Sequence, residues 1–239
     1  MLLVAVLSIV LLAPAMVLLV EGVRHWPQIP PHTAGHLTAT SLAASLAALG
    51  IILAGGTPLA WGLSHLNGGR RFWAEVILAV PLLLPPLVVG LVLSYLVGPM
   101  SLTRLGWTNT ASGLVLAEVY EAAPYYVFVA WSGFSAVPRL YREVAGTLGL
   151  SPRRTFWRVV LPLAAPSLAV GAAMAWSRAI GAFGAPIVVS YHPEGLPVGV
   201  WVVLEEFGLN AALPLALVLV AVALPLPLAA LAWSRRVAR

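Results

Sequence analysis

Residues 137–166 read VPRLYREVAGTLGLSPRRTFWRVVLPLAAP, an Arg-bearing interruption between two long apolar runs whose grammar is helical, not loop-like. Pro138 suits a first helical position, and Val137, Leu140, Tyr141, Val144 and Leu148 then recur on one face at helical spacing. Gly149 is placed to end that helix in a left-handed conformation. Ser151 caps a second short helix with Pro152 at its first position; it carries Phe156 and Val160, and Pro162 is expected to stop it. Two short helices with an apolar stripe and flanking Arg have two readings. They are either an interfacial pair resting on lipid or a knob offered to a partner protein.

On both sides of this segment the chain is suited to a bilayer. Its 239 residues are 61% hydrophobic and 9% charged, with a mean hydropathy of +0.97, too little polar surface to coat a soluble globule. A helix needs about 20 apolar residues to cross the hydrocarbon core, where only complete internal hydrogen bonding makes a backbone tolerable. Six stretches qualify: residues 2–20, 37–64, 76–98, 112–136, 165–190 and 211–233. The first lacks a basic leader and is too long for a signal peptide, although Ala13-Pro14-Ala15 faintly resembles a cleavage site. The expected fold is therefore all-α: a polytopic membrane protein with six transmembrane helices. Residues 1–239 are expected to form one domain, since no internal repeat or linker is visible, and no regulatory domain is expected after Trp233.

Six spans put both termini on one side. That side holds Arg70, Arg71, Arg139, Arg142, Arg153, Arg154, Arg158, Arg235, Arg236 and Arg239, whereas the opposite loops hold Arg24 and Arg104. The positive-inside rule then places the termini and the 137–166 segment in the cytoplasm, with the chain multi-pass in the cell membrane. Pro81, Pro85 and Pro86 break the third span, as a hinge or as a static kink. Ala173, Ser177, Gly181 and Ala185 give the fifth span a small face, which suits a dimer seam, the centre of a bundle or close packing within one subunit.

Composition excludes several chemistries. All 13 basic residues are Arg and all 8 acidic residues are Glu. Without Lys there is no Walker A loop, so any ATP is hydrolysed on another chain. Without Cys there are no disulfides, thiolate metal sites or Cys nucleophiles. Without Asp, aspartyl intramembrane proteolysis fails, and no H-E-x-x-H occurs for a zinc protease. The basic balance belongs to Arg beside apolar runs, which points to a membrane face and not to nucleic acid. His25, His32 and His36 share the first outer loop, but their spacing is not diagnostic of a metal site. Residues 197–207, with Val198, Trp201, Val202, Phe207, Glu205 and Glu206, suit a short outer helix that gates the path, touches a partner or anchors at the interface.

The stretch Glu143-Val144-Ala145, three residues, Gly149, nine residues, Val159-Val160-Leu161-Pro162 resembles the EAA loop of ABC import permeases, E-A-A, three, G, nine, I-x-L-P. Val144 stands for an Ala and Val159 for the Ile; Glu143, Ala145, Gly149, Leu161 and Pro162 match. The resemblance implies a non-enzymatic permease subunit with no cofactor of its own. Its coupling helix, within about residues 137–164, would sit in a cleft of a separate ATPase that carries ATP and Mg. It further implies a homodimer of permeases, two ATP-binding subunits below and a binding protein above.

Residues 175–185, AWSRAIGAFGA, are similar to the fifth-span segment of molybdate and tungstate permeases, A-R-x-x-x-E-F-G-A. Arg178, Phe183, Gly184 and Ala185 match, while Ala182 replaces the usual Glu. The implied cargo is an oxyanion, molybdate or tungstate. The alternatives are another substrate such as sulfate or, from a different class, a polytopic intramembrane enzyme. An Arg inside a span costs roughly 2.5–3.5 kcal/mol on insertion scales, so Arg178 must face protein, water or an anion. Glu118 and Glu121 lie three apart on one face of the fourth span, with Glu121 near the expected depth of Arg178. The expectation is an intramembrane ion pair between Glu121 and Arg178, with a direct anion contact as the other reading.

Overall fold

In the computed structural model, residues 2–28, 31–99, 101 and 103–237 are described, and among them there are helices and turns but no strand. Arg239 lies outside the described residues, as do the side chains of His32 and Arg235. The helices are α1 (Leu2–Arg24), α2 (Pro31–Leu63), α3 (Gly68–Leu83), α4 (Pro86–Val97), α5 (Ala111–Ala136) and α6 (Arg139–Thr147). They continue as α7 (Pro152–Thr155), a π turn (Phe156–Val160), α8 (Leu161–Ile180), α9 (Pro186–Val189), α10 (Leu196–Phe207), α11 (Leu209–Ala223) and α12 (Pro225–Val237).

Three helical stretches are long and apolar enough to cross a membrane, Thr33–Leu63, Pro152–Ile180 and Leu209–Ser234, and the bent α3–α4 pair makes a fourth. The other two expected spans fall on α1 and α5, of 23 and 26 residues. The apolar run of α5 is interrupted by Glu118, Glu121 and Pro124.

One sequence expectation is sharpened and two are revised. The third span is two helices meeting at 100°. Leu84, which precedes Pro85, is forced to an extended φ of −75° and ψ of 130°, and Pro85 then leads into α4 with Pro86 in its first turn. The fifth span stops at Ile180, not at Ser190, because residues 181–185 form a turn before the short α9. Pro162, expected to end a helix, lies inside one. The π turn just before it, where the Leu161 N–H reaches the Phe156 carbonyl, widens the helix and makes room for the proline ring. The result is one helical stretch of 29 residues, Pro152–Ile180, about 43 Å at 1.5 Å per residue.

The core is α5 held between α2 and α8. Tyr126, Trp131 and Phe134 of α5 are buried with Ile52 and Ala60 of α2 and Trp176 and Ile180 of α8. Lipid is as apolar as these side chains, so close backbone approach and hydrogen bonds hold the helices together. A Cβ on Gly133 would lie 2.4 Å from the Ser167 Cβ, so the α5 backbone rests there directly on the Ser167 side chain of α8. Thr57 and Tyr126 hydroxyls share a 2.6 Å hydrogen bond between α2 and α5. The Trp176 indole donates to the Ala223 carbonyl at 3.0 Å and ties α8 to α11. Of the small face read from the sequence, Ala173 and Ala185 are buried while Ser177 and Gly181 are exposed, so the face is used in part, and the close packing of α8 within this chain also draws on Gly171, Ala175 and Ala179.

Candidate functional site

Two regions gather the residues singled out by sequence. The first is the knob formed by α6, α7 and the π turn. Its helix starts at Arg139 with Pro138 as the preceding cap residue, one position later than expected. Gly149 has φ +79°, a conformation that costs a Cβ-bearing residue dearly, and it lets the chain reverse after α6. The Leu150 N–H then returns to the Ala145 carbonyl at 3.0 Å, closing the helix end. Ser151 Oγ accepts from the Arg154 N–H at 3.4 Å and starts α7.

The apolar stripe divides between two roles. Val137 and Ala145 are buried against the body, whereas Leu140, Tyr141, Val144 and Leu148 point outward, Leu148 being 76% exposed. Glu143 and Gly149 are exposed beside them, Val159 and Leu161 are half-buried at the root of α8, and Pro162 is exposed. An amphipathic helix with its apolar residues outward is incomplete in one chain; it wants a surface to cover it.

The second region surrounds Arg178, in the last turn of α8 and not in the middle of a span, because the helix ends at Ile180. There its charge faces the partial negative end of the helix dipole. Its Nη2 lies 2.6 Å from Glu121 Oε2, with the Glu121 side chain 3% exposed and that of Arg178 33% exposed. Glu121 Oε1 accepts from the Ala185 N–H at 3.0 Å. One buried carboxylate thus neutralises the guanidinium and satisfies a backbone donor in the 181–185 break. Gly184 rests on the start of α4, since a Cβ there would lie 2.4 Å from the Pro86 Cβ. The two broken helices therefore meet at this point. Between them a hollow of about 240 Å³ is lined by Pro81, Leu84, Pro86, Tyr125, Glu121 and Arg178. On its other side Arg178 borders a hollow of about 500 Å³ with Ser177, Met174 and residues of α12.

Not every candidate joins this centre. Glu118 is buried with Oε2 unpartnered, one turn from Glu121, and pairs with no Arg among the described residues. Phe183 turns toward α10, its ring 5.7 Å from that of Trp201. His36 stands on the exposed face of α2, which begins six residues before the expected span, and His25 contacts Glu21. Sequence reasoning missed Tyr125, which borders both hollows around Arg178; its only signal was its position four residues after Glu121. It also missed Asn109, whose Oδ1 accepts from the Tyr191 N–H at 3.0 Å and fastens the segment after α9.

The family described as "Binding-protein-dependent transport system inner membrane component" matches residues 47–239. The chain is similar to a probable molybdenum ABC transporter permease protein of Haloferax volcanii, 39% identical over 75% of this chain and 68% of that one. It is also similar to a molybdate/tungstate transport system permease protein of Pyrococcus abyssi, 34% identical over 76% of this chain and 68% of that one. Its fold resembles a subunit in the crystal structure of a bacterial alginate ABC transporter bound to its periplasmic protein: TM-score 0.79, 16% identity, covering 99% of this chain and 93% of the other. A methionine ABC transporter captured inward-facing gives a TM-score of 0.66 at 18% identity, over 95% of this chain and 99% of the other.

Proposed function

The chain belongs to the binding-protein-dependent transport system inner membrane components and is the permease subunit of an ABC importer, and from that premise we propose that it carries molybdate or tungstate. The cargo reading rests on the names of its relatives and on an Arg placed where two broken helices meet. Sulfate is the alternative cargo.

In this proposal two copies of the chain pair to enclose the path, with both termini in the cytoplasm and six spans per copy in the cell membrane. Two ATP-binding subunits, which hold ATP and Mg, dock beneath, and a binding protein delivers the anion from outside. The observation that supports docking is the outward row Leu140, Tyr141, Val144 and Leu148 on α6, flanked by Glu143. A partner's cleft covering that row removes exposed apolar surface worth about 25 cal/mol per Å².

The geometry suggests how closure of the ATPases acts. α6 is fastened by the Gly149 turn to the continuous Pro152–Ile180 stretch, and Arg178 stands at its far end. A push on α6 therefore moves a stiff rod whose opposite tip holds Arg178 against Glu121 and Gly184 against Pro86. Sliding or tilting that tip opens or closes the 240 Å³ hollow between the broken helices. The test is co-purification of the chain with its ATP-binding subunit, followed by competition among molybdate, tungstate and sulfate for the cognate binding protein. Molybdate and tungstate should outcompete sulfate; a preference for sulfate would transfer the assignment to that anion.

A further inference from the structure

His65 lies just beyond the end of α2, and both of its ring nitrogens have partners. Its Nδ1 is 2.8 Å from the Trp61 carbonyl and its Nε2 is 3.1 Å from Arg142 Nη1 of α6. A guanidinium has no acceptor, so Nε2 must accept, and Nδ1 carries the ring proton and donates to Trp61. The ring also stands edge-on to the Trp61 indole at 4.3 Å, and the Arg142 guanidinium lies 5.5 Å above that indole. Trp61 in turn meets Phe134 of α5 at 5.4 Å and Phe156 of the π turn at 5.2 Å.

We propose that His65 is a positioning residue for transport: by accepting from Arg142 it ties the knob to α2, so that movement of α6 reaches the α2–α5 pair as well as α8. The inference rests on the reading of α6 as the element that meets the ATPase. The backbone of α6 chiefly approaches α7 and the π turn, which are its own chain's continuation into α8. The Arg142–His65 bond reaches α2 instead. From α2 the route continues through the 2.6 Å Thr57–Tyr126 bond into α5, which bears Glu121. Contiguity by itself is not coupling, so the proposal is about a measurable interaction energy between Arg142 and His65 in transport.

The test uses the assembled transporter in proteoliposomes and reads ATP hydrolysed per molybdate imported. His65→Phe keeps an aromatic ring against Trp61 but removes the acceptor; His65→Gln supplies an amide oxygen that can accept; Arg142→Ala removes the donor. Loss of the bond should raise the ratio about two- to fivefold in His65→Phe and in Arg142→Ala, the factor an exposed bond to a charged group supports at its upper end. The double variant should be no worse than either single, and His65→Gln should stay within about twofold of the parent. A parental ratio in His65→Phe, equal loss in Phe and Gln variants, or losses that multiply in the double variant would overturn the proposal. If His65→Phe fails to assemble, Arg142→Ala carries the test, and a parental ratio there overturns it. Failure of the unmodified chain to retain its ATP-binding subunit contradicts the docking of α6; a retained subunit with unaltered ratios contradicts only the His65 tie.

Discussion

Glu121 accepts the backbone N–H of Ala185 through one carboxylate oxygen, at 3.0 Å, and holds Arg178 through the other. The break in the helix and the ion pair are thus one structure, because the same side chain satisfies both. Glu121→Ala leaves a guanidinium and a backbone donor without partners. Since Arg178 is one-third exposed, the loss of stability is expected at the lower end for a broken buried pair, about 2 kcal/mol. Thermal unfolding of the detergent-solubilised complex measures it. Exchanging the two charges, Glu121→Arg with Arg178→Glu, should recover only part, because the Ala185 N–H still lacks its acceptor. Stable, assembled single variants of Arg178 that no longer transport would instead show that Arg178 contacts the anion directly.

Gly184 touches Pro86 so closely that even one methyl group does not fit. Gly184→Ala should cost about 1–3 kcal/mol through overpacking of the seam between α4 and the 181–185 turn. The same change at Gly181, whose added Cβ would meet only the Ser177 carbonyl at 3.2 Å, should cost less. Comparing the two unfolding temperatures tests the claim that the broken helices meet at Gly184 and not one turn earlier.

Gly149 owes its place to its positive φ of 79° and not to lack of space, since a Cβ there would meet nothing within 4 Å. Gly149→Ala should therefore destabilise by about 1 kcal/mol, confined to the turn that ends α6. Import should fall while assembly persists, as the knob would be joined less firmly to the Pro152–Ile180 rod. A measurement of ATP-binding subunit retained per permease, beside import rate, separates these effects.

Much of this was legible in the sequence because the signals are local. Gly149, Ser151 and Pro152 mark their turn and cap through backbone preferences that act within a few residues. The helical face of α6 is visible in spacing alone. Where reading failed, the cause was a contact or backbone register that hydropathy does not encode. Pro162 reads as a stop, yet the π turn before it absorbs the ring. Residues 165–190 read as one apolar span, yet Glu121, distant in sequence, supports a break at residue 181 by supplying the missing acceptor. The 100° turn at Leu84 was legible in kind, from Pro85 and Pro86, but not in size. His65 and Tyr125 carry no motif, and their significance emerges only once α2, α5 and α6 are brought together.

The central claim is that the exposed row on α6 is gripped by an ATPase on the cytoplasmic side. The sequence contains no Cys, so Val144→Cys gives a single reactive thiol on that row. Cross-linking it in membranes with a short bifunctional reagent should yield one product containing the ATP-binding subunit, while Glu205→Cys on α10 should yield none. Labelling of Val144→Cys in intact cells by a membrane-impermeant thiol reagent, with no ATPase cross-link, would contradict the account.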